Sequence, residues 1–211
     1  MAGWSLPVSK MIFKIINFVL FQAGWFIGVL GASYNQTYLA LTLSIVILLV
    51  HFALIKNRIL ELKLIIIAGL IGLLFDGALL NFDLIIYNDP GLPYPLTPIW
   101  IVMLWMFFAM TLNHSLAWLR QKIYISILFG ALGGPLAYIA GEKLGAITLL
   151  STNSIIILSI GWAFITPVLL IIANRLNRNV LSLYNNAHLL PCIWFYRLGF
   201  KLIFKKCNSC R

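Results

Sequence analysis

Of the 211 residues, 62% are hydrophobic and only 9% charged, whereas soluble domains carry about a quarter charged residues. So few polar groups cannot cover so much apolar surface in water, which excludes a soluble globular protein and makes lipid part of the solvent. The formal net charge of +10 does not point to nucleic acid, because the basic residues stand singly or in pairs between apolar runs and seven of the fifteen lie beyond residue 174.

A helix needs about 20 mainly apolar residues to cross the hydrocarbon core, and six stretches qualify. The first lies near 11–32. Lys10 and Lys14 ahead of a run ending in GVLGAS resemble a secretory signal peptide, but the run is long for one and carries Trp25, so it reads as a span. The second lies near 36–54 and the third near 63–83, followed by a loop with Pro90, Pro93, Pro95 and Pro98. The fourth runs near 99–119, the fifth near 123–141 and the sixth near 155–173. The apolar segment 144–150 is too short to cross, so it either rests at the outer surface or extends a neighbouring helix. Gly24 with Gly28, and Gly130 with Gly134, have the G-x-x-x-G spacing that lets helix backbones approach closely, and Gly69 and Gly72 smooth a face of the third span. Pro135 and Pro167 interrupt the fifth and sixth spans and mark kinks.

The expected fold is an all-α polytopic membrane bundle of six transmembrane helices over residues 1–175, with a basic amphipathic cytoplasmic tail at 176–211. Arg197, Lys201 and Lys205 recur every four positions in the tail and share a helical face, the pattern of an interfacial helix touching anionic lipid headgroups. With both termini in the cytoplasm, every Lys and Arg except Lys143 falls inside, as the positive-inside rule requires. Cys192, Cys207 and Cys210 all lie in the tail and form no disulfide framework; the C-x-x-C of Cys207 and Cys210 reads as a reduced, solvated pair.

Polar groups within the spans are the functional pointers, because an ionisable side chain in hydrocarbon is costly unless it is paired or faces a cavity. Asp76, in LLFDGALL, is the candidate for a catalytic or proton-coupling acid; its structural reading is a neutral, hydrogen-bonded carboxylic acid. Asn17, Gln22, Asn113 and His114 form a candidate polar cluster within the membrane, and Tyr138 and Glu142 are candidates at the outer end of the fifth span. His51 reads as interfacial. At about 1.5 Å rise per residue, Asp76 and His114 differ in depth by roughly 10 Å or more, which argues against an Asp–His pair. Three histidines in three separate regions, His51, His114 and His188, predict no metal centre, and nothing in the residues calls for a cofactor.

Four strings, NFVLFQAGWF (17–26), FDGALL (75–80), PIWIVMLWMFFAMTLNHSLAWL (98–119) and GPLAYIAGEKLGA (134–146), resemble a family of bacterial inner-membrane proteins catalogued as domain of unknown function 2878. The resemblance spans residues 11 to about 175 and leaves the tail outside it. It implies a bacterial inner-membrane protein connected with membrane-lipid modification, and it assigns no catalytic residue. Three functions stay open: a component acting on lipids within the bilayer, with Asp76 and nearby aromatics lining a pocket; a small proton- or cation-coupled transporter; or a structural subunit of a membrane complex with unspecified protein partners. No similarity between the first three and last three spans indicates the internal repeat common in transporters.

Overall fold

Uncharged apolar runs have nowhere to satisfy their backbone polar groups in lipid except within themselves, so they become helices. The computed structural model describes residues 10–88 and 97–197, with side chains to residue 178. The helices are α1 (Lys10–Ser33), α2 (Thr37–Leu54), α3 (Arg58–Asn81), α4 (Ile99–Leu112), α5 (Ile123–Lys143) and α6 (Thr152–Arg197), with a 3-10 helix at Ala117–Gln121. All but α4 are long and apolar enough to cross a membrane. Residues up to Ala173 form one compact unit and those from Asn174 onward another. In the first unit α1, α2 and α3 pack around α4, whose residues Trp100, Phe107, Met110 and Leu112 are fully buried. The outer faces are apolar as well, with Leu74 73% and Phe164 71% exposed in mid-helix, an arrangement that only a hydrocarbon solvent tolerates.

Three helices end alike. Asn35, Asp83 and Gly145 take a left-handed conformation just past α1, α3 and α5, at φ of 55°, 52° and 83°. The next residue's N–H then reaches back five positions, from Gln36 to Gly31, Leu84 to Leu79 and Ala146 to Gly141, which satisfies carbonyls that a helix end would leave unpaired. After two of these caps the chain extends into short strands. β1 (Ile85–Tyr87) pairs antiparallel with β2 (Ile147–Leu149), placing Tyr87 opposite Ile147.

Several predicted boundaries are corrected. Segment 144–150 does not extend a helix; it carries β2 (Ile147–Leu149). The third helix begins at Arg58 rather than Lys63, which brings Glu61 into its first turn. The fourth stops at Leu112 rather than near residue 119. Its 14 residues rise only about 21 Å, short of the roughly 30 Å core. The cause is the polar run Asn113–Ser115, which leaves the helix as a turn, with the N–H groups of His114 and Leu116 both donating to the Thr111 carbonyl. The sixth helix passes its expected end near 173 and continues to Arg197. Helices α5 and α6 run on through Pro135 and Pro167.

Candidate functional site

Residues Leu60, Leu64, Ala68, Gly72 and Asp76 recur every fourth position along the buried face of α3. Asp76 therefore points into the bundle, fully shielded from solvent. Three donors meet it. Tyr87 Oη donates to Oδ1 at 2.7 Å, Tyr138 Oη to the same oxygen at 2.6 Å, and Trp105 Nε1 to Oδ2 at 2.5 Å. A carboxylate offers about four lone-pair directions, so one group on α3 ties together α4, α5 and the strand β1. Alternation along β1 turns Ile85 and Tyr87 inward, and its pairing with β2 holds Tyr87 over the acid. Burial foremost, then the nearby Asp76, hold the Tyr87 hydroxyl above its ordinary range, so it remains a donor.

Two glycines make room for this centre. A Cβ on Gly72 would overlap the Trp105 indole, and one on Gly134 would overlap that of Trp162. The two indoles stack at 4.4 Å with an interplanar angle of 11°, and Phe108 meets Trp162 edge-on. Beside them lies a cavity of about 530 Å³ lined by aromatic residues, among them Trp25, Trp100, Trp105 and Phe108. Phe18, Phe129 and Leu136 also line it and are exposed, so it reaches the lipid-facing surface of the bundle. Besides its tryptophans, its polar residues are few: Gln22, Thr111, Tyr138 and Thr166. Trp162 Nε1 and Thr166 Oγ1 are buried, and the Trp162 indole acts on the Tyr138 hydroxyl.

A second polar centre lies at the end of the bundle marked by the α2–α3 turn. His51 stands in the last turn of α2, Glu61 in the first turn of α3 and His114 in the turn after α4. His114 Nε2 lies 3.0 Å from Glu61 Oε1, and His51 Nε2 lies 3.8 Å from Glu61 Oε2. Asn113 Nδ2 donates to Glu61 Oε1 at 2.9 Å.

The predicted cluster of Asn17, Gln22, Asn113 and His114 thus divides. Asn17 Nδ2 donates to the Met110 carbonyl and Asn17 Oδ1 accepts from Ser115, which pins the end of α4 to α1. Asn113 and His114 turn to Glu61, and Gln22 lines the cavity. Asp76 and His114 share no partner. Tyr138 joins Asp76, while Glu142 Oε1 accepts from the Leu149 N–H and anchors β2. Of the groups around Asp76, α5 supplies Tyr138, and the other partners come from α4 and β1. The expectation that the histidines stay apart is corrected for two of them, since His51 is buried beside His114. Arg197 ends α6 without a described side chain, and Lys201, Lys205, Cys207 and Cys210 lie outside the described residues.

Glu61, Tyr87, Trp105 and Trp162 were absent from the sequence-based candidates. Glu61 stands in the sequence just before the third apolar run, among Lys56, Arg58 and Lys63, and the three aromatics are a few among many. The family description "Protein of unknown function (DUF2878)" matches residues 14–168. The chain belongs to the DUF2878 family. The match contains every residue of both polar centres and ends before the basic tail. No curated protein and no solved structure matches the chain.

Proposed function

We propose that this member of the DUF2878 family is a multi-pass protein of the bacterial inner membrane that takes part in membrane-lipid modification by holding a lipid's hydrocarbon chain in the cavity beside Asp76. One observation carries the reading: an aromatic-walled cavity that reaches the lipid-facing surface. Binding sites for apolar ligands have this composition, an apolar wall with a few placed polar groups that fix orientation. An acyl chain suits the wall. An ester or acid oxygen suits the half-buried Gln22 amide in its lining. Asp76 holds the Trp105 and Tyr138 side of the wall rigid and supplies the nearest acid to any reacting atom.

The positive-inside distribution supports cytoplasmic termini, and with it the Asp76 centre toward the outer half and the Glu61 centre toward the inner face. Arg197, Lys201 and Lys205 then lie where anionic headgroups are available. The test is lipid profiling of a deletion strain, complemented with wild-type protein or with Gly133→Leu. Gly133 lines the cavity, and an added Cβ there meets only the Phe129 ring edge at 4.0 Å, so leucine fills the space without displacing a helix. The deletion is expected to alter the fatty-acyl composition, and wild type but not Gly133→Leu should restore it. An unaltered lipid profile in the deletion strain would contradict the proposal.

A further inference from the structure

His51, Glu61 and His114 are held by three different helices or their ends, and one ligand atom from each lies within 4.8 Å of the others. His51 and Glu61 are almost completely buried, with side-chain exposures of 1% and 4%, while His114 retains 18%. His51 Nε2, Glu61 Oε2 and His114 Nε2 are all buried, and both imidazoles face the Glu61 carboxylate without an aligned hydrogen bond. His114 Nε2 is close enough to Glu61 Oε1, at 3.0 Å, but is not aligned as a hydrogen bond. Three buried ligand atoms that converge in this way without aligned hydrogen bonds are placed to share one ion between them.

We propose that these three residues form a binding site for a divalent transition-metal ion of the zinc type. Two imidazoles and one carboxylate are the donor set that zinc, and not magnesium or calcium, prefers. Ligand atoms about 2.0–2.2 Å from a tetrahedral ion lie roughly 3.3 Å from one another, and the observed 3.0 and 3.8 Å bracket that spacing. The outer limit of 4.8 Å asks for a further approach of about 1.5 Å at most, within the reach of side-chain rotation. Asn113, donating to Glu61 Oε1, orients the carboxylate as outer partners of metal ligands do. Three protein ligands leave one position open for water or substrate. Arg120, anchored through Nε to the Leu112 carbonyl at 3.0 Å, brings a positive charge that acts on Glu61 and limits the site's affinity without filling it. None of the three ligands lines the aromatic cavity, so this site stands independently of the lipid-binding reading.

The tail contains thiols and a histidine that bind the same metals, so the test uses full-length, tag-free protein carrying Cys192→Ser, Cys207→Ser, Cys210→Ser and His188→Gln. This protein, stripped with a chelator in detergent, is dialysed against Zn²⁺ and separately against Co²⁺. The expected result is one ion per chain, a tetrahedral Co²⁺ visible spectrum and a higher unfolding midpoint with Zn²⁺. Glu61→Gln and His51→Gln, which preserve size and polarity, should each weaken binding on the order of 100-fold or more, beyond the 10–100-fold loss typical of outer partners. A stripped protein that takes up no stoichiometric ion would overturn the proposal whatever the variants do. Undiminished binding in folded His51→Gln would overturn it equally.

Discussion

Asp76 shows how one side chain can organise a membrane interior. Two tyrosine hydroxyls share Oδ1 and one indole N–H takes Oδ2, so the acid's two oxygens have different duties. Asparagine can reproduce only one of them. If its carbonyl stays with the tyrosines, its NH₂ faces the Trp105 N–H, donor against donor, in a site from which water is excluded. Asp76→Asn is therefore expected to lower stability by about 1–3 kcal/mol, the cost of a buried unsatisfied group. Adding Trp105→Phe removes the opposing donor and should recover much of that loss, giving a coupling of about 0.5–3 kcal/mol in a double-mutant cycle. Unfolding in mixed micelles measures it, and strictly additive losses would contradict the arrangement. That Asp76 matters was legible from the cost of an acid in hydrocarbon. Its partners were not, because tyrosine and tryptophan are common in this chain and only the fold selects three of them.

Among the helices, small residues decide where large ones can sit. Gly72 and Gly134 each receive the face of an indole, and the stacked pair they seat forms part of the cavity wall. Gly72→Ala and Gly134→Ala should each cost about 1–3 kcal/mol, the usual penalty of overpacking. Gly133→Ala, facing open space on the same helix as Gly134, should instead gain about 0.5–1 kcal/mol from reduced backbone entropy. A thermal or denaturant series on the three variants checks the contrast, and equal effects at Gly133 and Gly134 would refute it. The G-x-x-x-G spacing of Gly130 and Gly134 made the close approach legible from sequence, while the residue approached, Trp162, lies in another span with no local signal. The end of α4 was illegible for a different reason. Asn113, His114 and Ser115 are bracketed by apolar residues that continue the hydropathy of a span, and only Glu61 and Asn17, distant in sequence, supply the polar contacts that draw them out of the helix. Strands of three residues, such as β1 and β2, are too short to show a period at all.

At the scale of the whole molecule, charge and apolar length made the bundle legible, because those are the properties a bilayer reads directly. Sequence could not supply the convergence of α2, α3 and α4 on His51, Glu61 and His114, since each residue sits at the end of an apolar run where a polar group is ordinary. The proposed topology places Asn88 outside and Gln121 inside. In a version lacking the native cysteines, Asn88→Cys should react with an impermeant thiol reagent applied to intact cells, and Gln121→Cys only after permeabilisation; the reverse pattern would refute that orientation. The central claim is that the aromatic cavity holds a lipid chain, and native mass spectrometry of the protein released from mild detergent tests it most directly. Wild type should retain one acyl lipid per chain under activation that strips surface lipid, whereas Gly133→Leu should emerge bare. Equal lipid retention by the two proteins, or none by wild type, would contradict the claim.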